Sequence, residues 1–174
     1  LGVIPLSFAS GIASIVNGGY KIKPTLYPVS EPDQRGKSII REEVSEKIRY
    51  AMRQVVKNGS GKKADIPGYA VIGKTGTADI PCKGSYGGCG NRTAFVGAFP
   101  GWDPKYVLLV SFERPKANIK KGIKRNSSYW NAGPTAGNII QLVAPLLGVE
   151  YNEFKEIELP LINDLIDEQP KEIL

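Results

Sequence analysis

Three apolar runs, about Tyr69 to Ala78, Thr93 to Phe99 and Tyr106 to Phe112, carry the β-branched and aromatic residues of strands. Their connections are short enough for antiparallel neighbours. Around them lie segments with helical spacing. Pro5 opens the first, Gly18-Gly19 closes it, and Phe8, Ile12 and Ile15 share one apolar face that reads as core. In the second, about Glu42 to Lys57, Val44, Ile48, Ala51, Met52 and Val55 recur at intervals of three and four. Acidic residues lead it and basic ones follow, as the helix dipole favours. A closing helix from Trp130 to Leu147 takes Ile139, Ile140, Leu142, Val143 and Leu146 as its body, with Pro134 restricting where it can begin. The expected fold class is α+β, an antiparallel sheet laminated by helices.

Between these elements, Tyr20 to Val29 reads as strand and turn, and Ser30 to Lys37 as a loop rich in proline, glycine and charge. Beyond Gly148 the chain turns acidic, and Leu159, Leu161, Ile162, Leu165 and Ile166 suit one amphipathic turn or two. No internal repeat or run approaching eighteen apolar residues occurs. At 174 residues, 41% hydrophobic and 23% charged, the chain is long enough for one domain with a core.

The chemistry concentrates in Gly73-Lys74-Thr75-Gly76-Thr77-Ala78, directly after the apolar run Tyr69 to Ile72. A cation, two hydroxyls and a glycine along one strand edge suit an anionic acyl substrate. Alternation sets Lys74 on the face opposite Thr75 and Thr77 unless a twist or Gly76 re-aims it. Gly76 lets another backbone approach closely. The hydroxyls of Thr75 and Thr77 can donate to a carboxylate, and the Thr77 amide can face a developing oxyanion, a role worth about two to three powers of ten in rate.

Composition narrows the remaining classes. The chain holds no histidine, which removes Ser-His-Asp, Cys-His and histidine–metal chemistry. Any acid or base is therefore Lys, Tyr, Asp or Glu. The net charge of +6 invites a nucleic-acid partner. Its densest run, Lys116 to Arg125, lacks interleaved aromatics and follows Glu113-Arg114-Pro115, so it reads as a solvated loop rather than a nucleic-acid surface.

Lys-Thr-Gly is one of three motifs of penicillin-recognising serine acyltransferases, and the flanking residues resemble the same family. Ile4-Pro5-Leu6-Ser7-Phe8-Ala9-Ser10 running into Asn17-Gly18-Gly19 resembles the helix that ends in Asn-Gly-Gly in penicillin-binding protein transpeptidase domains. Lys23-Pro24-Thr25-Leu26 resembles the strand after it. Asn58-Gly59-Ser60-Gly61-Lys62-Lys63-Ala64 is similar to the glycine-rich turn before the Lys-Thr-Gly strand, and Arg92-Thr93-Ala94-Phe95-Val96-Gly97-Ala98-Phe99-Pro100 to the next strand. The resemblance covers roughly residues 1 to 148, leaving 149 to 174 as an acidic tail. It is strongest to class B enzymes of the septal, cell-division type, which are peptidoglycan D,D-transpeptidases.

The family attacks with the serine of Ser-x-x-Lys, assisted by Ser-x-Asn. The only literal Ser-x-x-Lys here, Ser60 to Lys63, sits between Gly59 and Gly61, which disfavour the helix that would pair serine with lysine. No Ser-x-Asn occurs. In the family both motifs precede the segment resembled by residues 1 to 20, so the chain reads as the C-terminal part of such a domain, inactive in isolation.

Carried onto this sequence, the resemblance implies that Lys74, Thr75, Gly76 and Thr77 form the substrate-binding edge, with Lys74, Thr75 and Thr77 on the ligand's terminal carboxylate. It implies that the Thr77 amide completes an oxyanion hole with the amide of the attacking serine. It calls for no cofactor or metal, and for peptidoglycan stem peptides, β-lactams and cell-division complex proteins as partners. It places the full protein on the periplasmic side of the bacterial inner membrane, anchored by a helix upstream. That compartment permits a disulfide between Cys82 and Cys89 across the glycine-rich loop Lys83 to Gly88, two free thiols being the alternative. Two other readings stand beside the transpeptidase: a serine β-lactamase of the same fold, and a non-catalytic module binding carboxylates or a protein partner.

Overall fold

The computed structural model describes residues 2–27, 36–82, 85–122 and 126–157. Helix α1 spans Pro5–Val16 and helix α2 Glu42–Lys57. Strands β1 (Ile72–Cys82), β2 (Ser85–Phe99) and β3 (Tyr106–Glu113) follow, and helix α3 (Ala132–Leu146) closes the series. The strands form one antiparallel sheet in the order β1-β2-β3, so β1 is an outer strand. The α+β architecture expected from the sequence is the one observed.

Each sheet face has its own core. On one side Phe95, Val110 and Val71 pack with Ala132, Ala136, Ile140 and Ala144 of α3. On the other, Ile72 and Ala98 pack with Val16 of α1 and Met52 of α2, supported by Ile12, Ile15 and Ile48. Much of each expected apolar face does meet the sheet, through Ile12 and Ile15 of α1, Ile48 and Met52 of α2 and Ile140 of α3, and the departures are local. Helix α3 buries alanines and glycines beside Ile140 and leaves Leu142 and Leu146 exposed. A Cβ at Gly137 would lie 3.0 Å from the Lys63 carbonyl, so only a small-residue face can come this close. Phe8 and Ala51 are likewise exposed rather than core.

Several boundaries move for identifiable reasons. Of the strand and turn expected over Tyr20 to Val29, the described residues keep one bridge, Tyr20 opposite Ser38. The backbone of Ile22 is claimed by α1 instead: its N–H donates to Ser14 Oγ at 2.8 Å and its carbonyl accepts from Ser10 Oγ at 3.0 Å. Residues 28–29 of that segment, most of the Ser30 to Lys37 loop, the end of the Lys116 to Arg125 run and the tail's proposed amphipathic turn lie outside the described residues. Strand β1 begins at Ile72, not Tyr69, because Gly68 (φ 82°) and Ala70 (φ 41°) turn the chain through the left-handed region first. It then runs on to Cys82. Much of what reads as a glycine-rich loop is therefore hairpin, with Ala78 opposite Arg92, a register shift between Asp79 and Pro81, and Cys82 opposite Ser85. Cys82 and Cys89 are joined as a disulfide, Cα atoms 5.6 Å apart.

Helix α3 starts two residues later than expected. Ser128–Trp130 form a separate 3₁₀ turn, and the Asn131 side chain caps α3 by accepting from the Ala132 N–H at 2.6 Å.

Residues 149–157 pack back on the body. The Asn152 N–H donates to the Gly68 carbonyl at 2.9 Å, Tyr151 meets Tyr69 edge-on, and Ile157 joins the α1/α2 core. Glu156 takes both ends of a fork from Arg53, Nε–Oε2 at 2.8 Å and Nη2–Oε1 at 2.7 Å. Arg53 is buried in α2, and its Nη1 also donates to Asp65 at 2.7 Å and to the Val71 carbonyl at 3.1 Å. Burial works against the guanidinium's charge, but the hydrogen bonds it donates to Glu156 and Asp65 outweigh it and hold its pKa above the ordinary arginine value.

Candidate functional site

The Lys-Thr-Gly stretch lies on the outer strand. Lys74 pairs with Val96, Thr75 with Phe95, Gly76 with Ala94 and Thr77 with Thr93. Alternation therefore puts Thr75 and Thr77 on the α3 face with Phe95, and Lys74 and Gly76 on the α1 face with Val96 and Ala94. No twist reverses this, and the site straddles a sheet border. Lys74 is exposed, and its ammonium curls back to the strand, donating to the Thr75 carbonyl at 2.7 Å.

Gly76 and Gly73 are glycines for different reasons. At Gly73 a Cβ would overlap the Phe95 ring and crowd the Val96 carbonyl at 2.8 Å, so the fold itself requires glycine. At Gly76 a Cβ would meet only the Ala94 carbonyl, at 4.0 Å. Internal packing makes no demand there, and the space above Gly76 is open.

Each threonine hydroxyl has a partner from another element. Thr75 Oγ1 and Ser60 Oγ lie 2.6 Å apart, Ser60 being in the turn after α2. Thr77 Oγ1 accepts from the Ser128 N–H at 3.3 Å, and Ser128 Oγ donates to the Ala94 carbonyl at 2.7 Å. The turn Ser128–Trp130 is thus tied to β1 and β2 together. A further bond, from buried Thr93 Oγ1 to Asn131 Oδ1 at 2.7 Å, fixes the start of α3 under the same site.

Ser60 and Lys63 do not act as a pair. Helix α2 has ended at Lys57, and the Lys63 ammonium lies over the rings of Trp130 at 3.9 Å and Tyr129 at 4.9 Å. Ser60 faces Thr75 instead. Sequence reading singled out Ser60 only as a nucleophile candidate and missed Ser128, Tyr129 and Trp130. The available signal was a serine and an asparagine just before the Ala-Gly-Pro start of a helix, the composition of a capping turn.

Chemically, the arrangement offers a solvent-facing strand edge with one ammonium, two threonine hydroxyls and room for a second backbone. Among the described residues no group of three or more His, Cys, Asp or Glu side chains gathers as a metal site, and no helix is long and apolar enough to cross a membrane.

Comparison with known proteins agrees across the chain. The family profile of the penicillin binding protein transpeptidase domain matches residues 1–141. Stage V sporulation protein D of Bacillus subtilis is 33% identical over 92% of this chain. A Caulobacter vibrioides protein named "Probable peptidoglycan D,D-transpeptidase FtsI" is 32% identical over 86% of it. The chain spans only 27% of the length of each of these two relatives. Among solved structures, the apo transpeptidase domain of Burkholderia pseudomallei penicillin-binding protein 3 superposes with a TM-score of 0.75 at 25% identity, over 86% of this chain and 44% of that one. Penicillin-binding protein 3 of Mycobacterium tuberculosis, solved with ampicillin, gives a TM-score of 0.68 at 25% identity, over 90% of this chain and 38% of its own.

Proposed function

This chain belongs to the penicillin-binding protein transpeptidase domain family, and from that premise we propose that it supplies the carboxylate-binding edge of a peptidoglycan D,D-transpeptidase. In the reaction, a serine outside these 174 residues attacks the penultimate D-alanyl carbonyl of a stem peptide. D-Alanine leaves, and an amine of a neighbouring stem resolves the acyl-enzyme. Here β1 receives the stem as an added strand. Lys74, Thr75 and Thr77 hold its terminal carboxylate, or that of a β-lactam, and the Thr77 amide forms half of the oxyanion hole. Lys74 contributes from the α1 face of the strand and the two hydroxyls from the α3 face, so the carboxylate sits across the border between them. The proposal includes a periplasmic site of action, a membrane anchor elsewhere in the protein, partners of the cell-division complex, and residues 149–174 as an acidic tail that follows the transpeptidase domain and docks on it through residues 149–157.

One observation carries the reading: Lys74 to Thr77 lie on an exposed outer strand, and the glycine among them leaves space that the fold does not itself need. In the full-length protein, Lys74→Ala slows acylation by a fluorescent penicillin roughly tenfold or more, the loss of a hydrogen bond from a charged donor. An unchanged rate removes Lys74 from the site. The 174-residue chain alone takes up no covalent label, and labelling at any of its serines would overturn the placement of the nucleophile.

A further inference from the structure

Ser60 and Thr75 stand fifteen residues apart in sequence, yet their hydroxyl oxygens are 2.6 Å apart at the exposed border of β1. The contact arises from a turn pinned at several points. The Gly59 and Gly61 N–H groups both donate to the Val55 carbonyl, at 3.1 and 2.9 Å, and Lys63 anchors the far side over Trp130. A Cβ at either glycine would crowd the Val55 carbonyl, at 2.9 Å from Gly59 and 3.1 Å from Gly61. Ser60 is therefore presented by a tightly packed backbone.

A hydroxyl has one proton and two lone pairs. If Thr75 gives its proton to Ser60, it has none left for a ligand. If Ser60 donates to Thr75, the Thr75 proton is free to point outward. An anion beside Thr75 selects the second arrangement, and each hydrogen bond in the chain Ser60 to Thr75 to carboxylate then polarises the next. Thr77 has the same logic already built in. Its oxygen accepts from the Ser128 N–H, which leaves its own proton for a ligand.

We propose that Ser60 is a positioning residue for the carboxylate site, its hydroxyl filling the acceptor side of Thr75 so that Thr75 donates to the ligand. The inference rests on the reading of the β1 edge as a carboxylate site. Ser60 has no part in bond making, and no proton leaves the chain of hydroxyls.

The test compares acylation of the full-length protein by a penicillin with a free carboxylate and by its methyl ester. Ser60→Ala slows the free acid about fivefold, the loss of one net hydrogen bond, and changes the ester by less than about twofold. Ser60→Thr restores the acid rate, since it returns the hydroxyl. Equal slowing of acid and ester, or no slowing of either, overturns the role of Ser60. Thr75→Val is the control for the underlying reading. If it fails to distinguish acid from ester, the carboxylate site itself is misassigned. If it does distinguish them and Ser60→Ala does not, only the present inference fails.

Discussion

Replacing Arg53 by methionine keeps the aliphatic stem and removes the guanidinium, which isolates the energetic role of one buried cation. Its side chain is 5% exposed, while the carboxylates of Asp65 and Glu156 are 30% and 39% exposed. The carboxylates can therefore regain water when the cation goes, and each broken pair costs only about 0–1 kcal/mol, as for surface pairs. The Val71 carbonyl has no such recourse. Val71 is fully buried, and losing its donor costs about 1–3 kcal/mol. The sum is roughly 1–5 kcal/mol, with its middle near the lower end of the 3–5 kcal/mol of a wholly buried pair, and lowers Tm by about 2–20 °C for a domain of this size. Glu156→Gln leaves Arg53 bound to Asp65 and Val71 and costs about 1 kcal/mol. Arg53 holds the Glu156 carboxyl below the usual range, chiefly through their hydrogen bond. A depressed folded-state pKa gives stability that is full above the unfolded pKa and disappears as pH falls through the folded one. The gap between wild type and Glu156→Gln in thermal melts is thus present at neutral pH and closes on acidification. Equal melting of Arg53→Met and wild type, or a Glu156→Gln gap that widens in acid, would refute the account.

The segment carrying Glu156 is open to two more tests. Gly68 has φ 82°, and a Cβ there would overlap the Tyr151 ring; Gly68→Ala costs about 1–2 kcal/mol in backbone strain alone and displaces Tyr151, which trypsin reads as faster cleavage after Lys155. An unchanged cleavage rate means that residues 149–157 are held without Tyr151. The hairpin predicts that unreduced, denatured protein yields no free thiol and that reduction releases both; thiol before reduction contradicts the Cys82–Cys89 bond.

What sequence alone made readable was local. The bounds of α2 fell where charge order and periodicity put them, and β3 missed by one residue. The errors lie where distant contacts overrule local preference. Ala70 has no side-chain feature that announces a left-handed φ, so the start of β1 was hidden. Helix α3 showed its large apolar residues plainly, but apart from Ile140 close approach selected its alanines and glycines for full burial. Arg53 carries no local sign of its burial in α2, because its partners Asp65 and Glu156 come from elsewhere in the chain. Lys74, Thr75, Gly76 and Thr77 were visible as a motif, and their opposite faces followed from alternation. Their partners Ser60 and Ser128 were not visible, because each reaches the strand from another element.

An outer strand can recruit unwanted neighbours as easily as a ligand. On β1, Lys74 guards one end, and Asp79 and Pro81 guard the other. Between them Thr75 to Ala78 is a berth of four uncharged residues, about 13 Å at the rise of a strand. A short peptide fits that length, whereas a long aggregating strand must run over a charge or a missing donor before it gains a fifth rung.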